Sequence, residues 1–541
     1  MSAGEYGARG LAGPPRSRTD LRTRSIPVET WALGVLILLA VVIRILTIDN
    51  QSFWADEALT AYEAQLPLGA MIHTVVHVET TPPLYFLLTW GWAHVFGTSA
   101  VALRSISTLS GIALVPIAYL CGRELFSSRT GVLAAAFVAV NPFMIWYSQE
   151  ARAYMLLAAL TGGAFLWFVR AHQQPSRRNL AWWAALSSLS LMTHFFAGFA
   201  IAPEALLLLW KWRSRPVSAA VGVVGAVQVA MAPFALIDSS HGVGWIAGVP
   251  KANRVGKAAL EWGVSLLYRR ATIAEGLIGA GALLVIVAGL IVFAGDRSTR
   301  TGGGIAAILA GSAFLLPLAL GYLGPDYFLS RNLIAAFVPL STLVAAACLA
   351  PRARVLGGLL ALGLLAMFSV AALQVQTHPY LERADWRKVA RALGATRVPR
   401  AILAADGTTA DPLKIYLPGV DWTQPHRDLV LIKEVDVVGA TKRLVVVPTR
   451  RLRAAASRAS VAGRQDLRRG QRRPVGFPLP VTVNPPGARL ISRFRVGNWI
   501  LARFMLAHPL RTSIDRLLVI APRFFRRTPQ ALMVFMQRPG H

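Results

Sequence analysis

Two adjacent carboxylates, Asp56 and Glu57, stand in "NQSFWADEALTAYEA" (50–64), directly behind the first long apolar run and beside Phe53 and Trp54. Acids at a helix start complement free N–H groups and the positive end of the helix dipole, so capping is one reading of the pair. Ionisable groups at the margin of an apolar run also mark substrate paths and proton handling, which is the other reading. Three further clusters have the same character. "YSQEARAY" (147–154) carries Tyr147, Glu150 and Arg152, "LMTHFF" carries His194, and "YFLSRN" carries Arg331. Each has a bland explanation of its own: an ion pair at a helix mouth, a satisfied buried histidine, a snorkelling arginine. Together they combine two chemistries. Carboxylates suit activation of a hydroxyl, and the planar fork of a guanidinium suits a phosphate. A lipid phosphate that carries a sugar and meets a hydroxyl acceptor at a membrane surface calls for both.

The elements that must position these groups are membrane spans. Of 541 residues, 55% are hydrophobic and only 15% charged, and the mean hydropathy is +0.50. Runs such as "WALGVLILLAVVIRILTI" (31–48) and "GLIGAGALLVIVAGLIVFAG" (276–295) approach the roughly 20 residues that cross a hydrocarbon core. Eleven candidate spans follow, near 31–48, 103–122, 130–147, 153–170, 180–194, 195–210, 216–237, 273–295, 303–323, 332–350 and 355–375. The expectation is a mainly α polytopic membrane protein of about 11 transmembrane helices. Cys121 and Cys348 lie far apart inside apolar runs and suggest neither a disulfide framework nor a Cys-based metal site.

Charge asymmetry orients the chain. The linkers 122–129, 170–178, 211–215, 296–300 and 351–354 are basic, like the Arg-rich segment 1–30, and the positive-inside rule puts all of them in the cytoplasm. The spans then alternate correctly only if "PPLYFLLTWGWAHVFG" (82–97) does not cross, so it reads as a re-entrant or interfacial helix. Residues 1–30 are expected to be a disordered cytoplasmic arm rather than a signal peptide. Residues 31–376 form the membrane domain, with 49–102 as its first outer loop. Residues 377–541 form an extracytoplasmic basic α/β domain. The acid, His and Arg clusters all land on that outer face.

From Thr377 to His541 there are 30 Lys/Arg against 10 Asp/Glu, two-thirds of the formal charge of +30. Such a surface fits an anionic membrane lipid or a cell-wall glycan rather than nucleic acid. Strands are expected at 399–406 and 442–450, a helix at 385–395, and a hairpin over 488–506 turning at Gly497-Asn498. The segment 450–487 reads as a loop.

The segment 50–154 resembles the family 39-like glycosyltransferases of the GT-C fold, which include protein O-mannosyltransferases and the aminoarabinose transferase that acts on lipid A. The resemblance is carried by "FWADEA", then "HVETTPPLYFLLTWGWAHVFG", then "RSISTLSGIALVPIAYLCGRELFSSRTGVLAAAFVAVNPFMIWYSQEARAY", with "SRNLIAAFVPL" (330–340) similar to a later Arg-bearing span. It implies a polyprenyl-phosphate sugar donor, a hydroxyl acceptor, and inversion at the anomeric carbon. It implies Asp56 as the acceptor-activating base, with Glu57 beside it, Glu150 as the second acidic position, and Arg331 as a phosphate contact. Arg152, His194, Lys251 and Arg254 complete the candidate phosphate and lipid contacts. Trp54, His77, Tyr85 and Tyr147 are the candidate sugar or acceptor contacts. "RNL" departs from relatives that have an aromatic after the arginine, which puts the shape of the donor pocket in question.

No cofactor is required by this reading. A divalent metal stays open, with Asp56 and Glu150 as oxygen ligands; His73 and His77 have a usable four-residue spacing but lack the Glu of an H-E-x-x-H motif. The basic loop 238–272 reads as an interfacial anchor or a lid over lipid phosphate. A transporter or flippase of lipid-linked sugar shares the many spans and the lipid-phosphate site, but such proteins show repeat symmetry and midplane charges. A non-catalytic wall-assembly scaffold is the third class, and would tolerate Asp56→Asn.

Overall fold

The computed structural model describes residues 27–79, 81–238, 246, 249–263, 272–324, 326–377, 383–405, 410–440, 487–497, 499–521 and 532–540. The strand expected at 442–450, the loop 450–487, most of the N-terminal arm, and Trp245, Arg269 and Arg270 lie outside them. The first span, α1, is Val28–Leu46. Three short helices follow it: α2 (Ala55–Glu63), α3 (Leu68–Val78) and α4 (Leu84–Phe96). Then come α5 (Ala100–Leu125), α6 (Ser128–Val140), α7 (Pro142–Ser148), α8 (Tyr154–Gln173), α9 (Arg177–Thr193), α10 (Ala197–Lys211) and α11 (Arg215–Asp238). The second half has α12 (Lys251–Gly263), α13 (Ile273–Gly289, prolonged to Ala294), α14 (Arg297–Leu323), a 3₁₀ turn Ser330–Ala336 running into α15 (Phe337–Cys348), and α16 (Arg354–Thr377).

This is a polytopic helical membrane protein. Among the described residues eight helices are long and apolar enough to span, or nine if the bent pair α6 and α7 counts as one, against the eleven expected. The shortfall is α9 and α10, of 17 and 15 residues. Arg177, Arg178 and Asn179 open α9, and Pro203-Glu204 interrupt α10, so neither has an apolar run of spanning length. The 13 residues of α4 rise only about 20 Å, well short of a hydrocarbon core of about 30 Å.

Local chemistry sets the break that matters for the site. Asn141 ends α6, and its Oδ1 accepts from the N–H groups of Phe143 and Met144 at 3.0 and 3.2 Å, with Pro142 in the first position of α7. The chain restarts at an angle of 60°. The fully buried Arg44 of α1 binds the carbonyls freed at that break, Ala139 O at 3.0 Å and Val138 O at 3.2 Å, and donates to Ser148 Oγ at 3.0 Å. Gly111 of α5 leaves no room for a methyl against Ser148, which lets α7 lie directly on α5. Thr108 Oγ1 then donates to Ser148 O at 2.7 Å and Ser107 Oγ to Arg152 O at 3.2 Å. The segment 148–152 is thereby fastened to α5 from below.

After α16 the chain forms an α/β unit: α17 (Trp386–Leu393), β1 (Arg400–Ala404), α18 (Leu413–Tyr416), β2 (Val430–Ala440), β3 (Ala488–Val496), β4 (Trp499–Thr512), α19 (Ile514–Ile520) and β5 (Met533–Gln537). The sheet order is β3-β4-β2-β1-β5, with β1 and β2 parallel and every other pair antiparallel. The hairpin β3–β4 turns at Gly497, whose φ of +54° is cheap only for glycine or asparagine. Strands β2 and β5 were not anticipated from the sequence.

Candidate active site

Trp54 ends an extended stretch and α2 begins at Ala55. Glu57, third in the helix, reaches back so that its Oε2 accepts from the Trp54 N–H at 3.4 Å. The capping reading therefore describes Glu57, but it is the smaller part of what this residue does. Glu57 is fully buried. Its Oε1 accepts from Arg104 Nε at 2.8 Å and from the Ala151 N–H at 2.9 Å. Its Oε2 accepts from Arg104 Nη2 and from Arg383 Nη1, both at 2.8 Å. Arg104, on the first turns of α5, also binds Ile48 O, Gln51 O and Ser52 O at 2.9, 2.8 and 3.1 Å. Burial alone would raise the Glu57 carboxyl, but Arg104 and then Arg383 outweigh it and hold the group below its ordinary range. This knot fixes residues 48–57 to α5.

Glu150 is 2% exposed, and Arg383 Nη2 is bonded to its Oε2. Burial pushes its carboxyl up to about 7 against the pull of Arg383. Its Oε1 is buried and has no partner among the described residues. Arg383 lies over the rings of Trp146 and Trp54, 4.6 and 5.6 Å from their centroids.

Asp56 is built differently. Its side chain keeps about a third of its exposure, and its Oδ2 stands 3.7 Å from Arg331 Nη1, beyond a direct hydrogen bond. Arg331, from the 3₁₀ turn before α15, lies between Trp54 and Tyr154, 5.6 and 5.5 Å from their centroids. Arg331 Nε and Trp54 Nε1 are buried and lack partners among the described residues, as does Glu150 Oε1. Buried polar atoms without partners are rare in folded proteins and call for an explanation. Here three of them sit on side chains that surround one half-exposed carboxylate.

The other candidates divide. Arg152 is spent on Glu79, with two bonds of 2.7 Å, and on Thr60 Oγ1 at 3.2 Å, so its fork is not open to a phosphate. Behind it Glu63 is buried, and burial together with the Glu79 charge raises its carboxyl far enough to keep it neutral. Tyr147 packs edge-on against Phe143 and Tyr154, at 4.6 and 5.3 Å, at the margin of the cluster. His194 is buried at the junction of α9 and α10, where its Nδ1 accepts from the Phe196 N–H at 3.2 Å and its ring tilts on Tyr154. Tyr85 is fully buried under α3 among Met71, Val75 and Ala153, which removes it from the pocket surface. His77 is exposed and stacks on His73 at 4.2 Å. Lys251 and Arg254 both face Asp326, Lys251 at 3.4 Å and Arg254 through two bonds of 2.6 and 2.5 Å.

Part of the basic loop, residues 249–263, is among the described residues. Helix α12 is pinned to the protein: Arg254 binds Phe328 O, Trp262 Nε1 donates to Ser330 O at 3.3 Å, and Asn141 Nδ2 donates to Trp262 O at 2.8 Å. These bonds brace the turn that carries Arg331.

Three residues that the sequence does not single out hold the site together. Arg104 ends a stretch, 45–103, that has no Lys or Arg, Glu79 is one of the acids in that stretch, and Arg383 stands in "ERADW" just past the last span. As for a metal, no group of three His, Cys, Asp or Glu side chains converges among the described residues. Asp56 has Arg331 beside it, and Glu150 has Arg383 on one oxygen and its other oxygen without a partner among the described residues.

Residues 80–237 match the family model described as dolichyl-phosphate-mannose-protein mannosyltransferase, and the chain is related to that family over this stretch. No curated protein matches the chain. Among solved structures, ArnT from Cupriavidus metallidurans bound to undecaprenyl phosphate is similar with a TM-score of 0.48 and 13% identity, over 88% of this chain and 98% of that one. The same protein in the apo state gives 0.46 and 13%, over 72% and 85%. The S. cerevisiae protein O-mannosyltransferase complex bound to the sugar donor gives 0.32 and 17%, over 40% and 34%.

Proposed function

We propose that this chain is an inverting glycosyltransferase of the cell membrane, which moves a mannose- or arabinose-like sugar from a polyprenyl-phosphate donor to an acceptor hydroxyl on the outer face. The observation that carries it is the Asp56–Arg331 pair: one partly exposed carboxylate beside one guanidinium, near acids and arginines that are bonded to each other. The acceptor oxygen attacks the anomeric carbon and the bond from that carbon to the phosphate oxygen breaks. The acceptor proton goes to Asp56. The electron pair of the broken bond goes to the phosphate oxygen, where Arg331 stabilises the developing charge. A phosphate leaves without protonation, so no general acid is needed. Glu150, with one oxygen held by Arg383 and the other without a partner, is placed to accept a hydrogen bond from the donor sugar.

The N-terminus lies in the cytoplasm and residues 377–541 outside, in agreement with the basic linkers. The basic C-terminal segment faces anionic lipid or a cell-wall glycan. Against a transporter of the same lipid, Asp56, Glu57, Glu150, Arg331 and Arg383 gather at one set of helix ends.

The test is turnover. Purified protein is mixed with a panel of polyprenyl-phosphate sugars and an envelope extract, and free polyprenyl phosphate is followed by mass spectrometry for the wild type and Asp56→Asn. Release by the wild type alone is expected and identifies the sugar. Equal release by the variant would remove Asp56 from the role of base, and release by neither, with movement of intact donor across vesicles, would favour the transporter.

A further inference from the structure

The proposed site is built from the membrane domain, yet one of its charges comes from beyond the last span. Arg383 follows α16 and precedes α17, and its guanidinium bridges Glu57 and Glu150 while lying between Trp54 and Trp146. Only 9% of its side chain is exposed. It is the link between two acids that belong to different elements, α2 and the segment after α7.

The residues next to Arg383 make a seam with the loop that leads into α2. Ser52 Oγ donates to Ala384 O at 2.8 Å and accepts from the Trp386 N–H at 3.1 Å. The Arg383 N–H donates to Gln51 Oε1 at 3.2 Å. Arg387 binds both oxygens of Asp49, at 2.8 and 3.2 Å. From α18, the Tyr416 hydroxyl accepts from the Phe53 N–H at 2.8 Å and its ring stacks on Phe53. Every residue from Asp49 to Phe53 except Asn50 is thus held by the C-terminal unit, three residues short of Asp56.

We infer that Arg383 is a positioning residue for the proposed transfer, and that the catalytic site is complete only when the C-terminal α/β unit is docked on residues 49–53. Arg383 touches neither the reacting carbon nor the phosphate in this scheme. It acts by fixing Glu57, which sets the start of α2 and hence the place of Asp56, and by fixing one oxygen of Glu150 so that the other is presented. A domain read from its charge as a partner-binding appendage becomes a structural half of the active site. The inference rests on the glycosyltransferase reading for its kinetic arm only.

Two variants of the protein, Arg383→Ala and Arg383→Lys, test it beside the wild type, each in detergent, with two readouts. The first is donor turnover. A displacement of order 1 Å at a reacting centre costs about a hundredfold in rate, so Arg383→Ala is expected to lower kcat by about that factor while the donor KM moves by less than about threefold. Added methylguanidinium is expected to recover part of the loss, and Arg383→Lys, which cannot bond both acids through a fork, to fall between. The second readout is hydrogen exchange at the peptide containing Ala151, whose N–H is bonded to Glu57. It is expected to speed up in Arg383→Ala. A kcat within about threefold of the wild type overturns the inference, as does a loss that methylguanidinium leaves untouched and that Lys shares in full. If the wild type turns over no lipid-linked sugar, the functional reading falls alone, and exchange at Ala151 decides the clamp: acceleration upholds it and unchanged exchange removes it.

Discussion

Asp56 and Glu57 are consecutive residues with the same chemistry, and the fold treats them in opposite ways. Glu57 is sealed into a knot of two arginines and a backbone amide at 2.8–2.9 Å. Asp56, one step round the helix, meets its arginine at 3.7 Å with solvent still at hand. A buried ion pair is a poor source of net stability, because desolvating both charges cancels most of their attraction, but it is costly to break. An open pair holds little energy and is free to exchange one partner for a substrate. Of these two neighbours, the closely bonded acid serves the scaffold and the loosely paired one is left for chemistry.

That contrast is broken most directly at the knot. Arg104→Met leaves Arg383 as the one cation on Glu57 and takes the donors from three loop carbonyls, which by the usual cost of halving a buried pair destabilises the protein by about 3–5 kcal/mol. The expected outcome is loss of monodisperse protein or a large drop in Tm in detergent, and an unchanged Tm would mean that Glu57 is no keystone. At the open pair the expectation inverts. Asp56→Asn should lower kcat by roughly 10²–10⁴-fold, the range of general-base effects, with Tm unmoved. A fall in both together would place Asp56 in the scaffold too.

Both halves of the contrast were partly legible in the sequence. The adjacency of Asp56 and Glu57 to an apolar run, and the acids and arginines at 150, 152 and 331, follow from composition and threading alone. Which acid would be sealed and which left open does not, because it depends on Arg104 and Arg383, 47 and 326 residues away from Glu57. Periodicity finds elements and charge asymmetry finds sides, but neither pairs side chains across hundreds of residues. The same gap explains Arg152, Lys251 and Arg254: each carries the right charge for a phosphate, and each is paired with an acid, Glu79 or Asp326, that no local pattern assigns to it. Helices α9 and α10, which the hydropathy threading reads as spans at 180–194 and 195–210, have 17 and 15 residues.

The two buried acids sharpen the comparison through pH. Glu57 is held below its ordinary range, so its contribution is present at neutral pH and lost as pH falls through its lowered value. Glu150 is raised to about 7, so the folded protein binds its proton more tightly than the unfolded chain. The stability this brings is complete below the ordinary carboxylate range and is lost as pH rises through about 7. A shift of this size corresponds to about 3 kcal/mol at about 1.36 kcal/mol per unit. Melts between pH 5 and 8 should therefore show Tm falling with pH in the wild type and a flatter profile in Glu150→Gln. A wild-type profile as flat as that of the variant would mean that Arg383 keeps Glu150 ionised throughout.

The smallest expected effect tests the rule from its far side. Lys251 is the cation that charge and location alone would assign to lipid phosphate, and its side chain is 28% exposed. Its ammonium, however, faces Asp326 at 3.4 Å and lies over the Tyr322 ring, and Asp326 is held more closely by Arg254. Removing it leaves Asp326 fully bonded, so Lys251→Ala should cost no more than the 0–1 kcal/mol typical of a partly exposed pair, and the donor KM should stay within about threefold of the wild type. Arg331→Ala, which removes the open cation, should raise the donor KM well beyond that limit in the same assay. If Lys251→Ala weakens the donor as much as Arg331→Ala does, then an acid within reach does not disqualify a cation from substrate binding. The distinction drawn between Asp56 and Glu57 would then rest on burial alone.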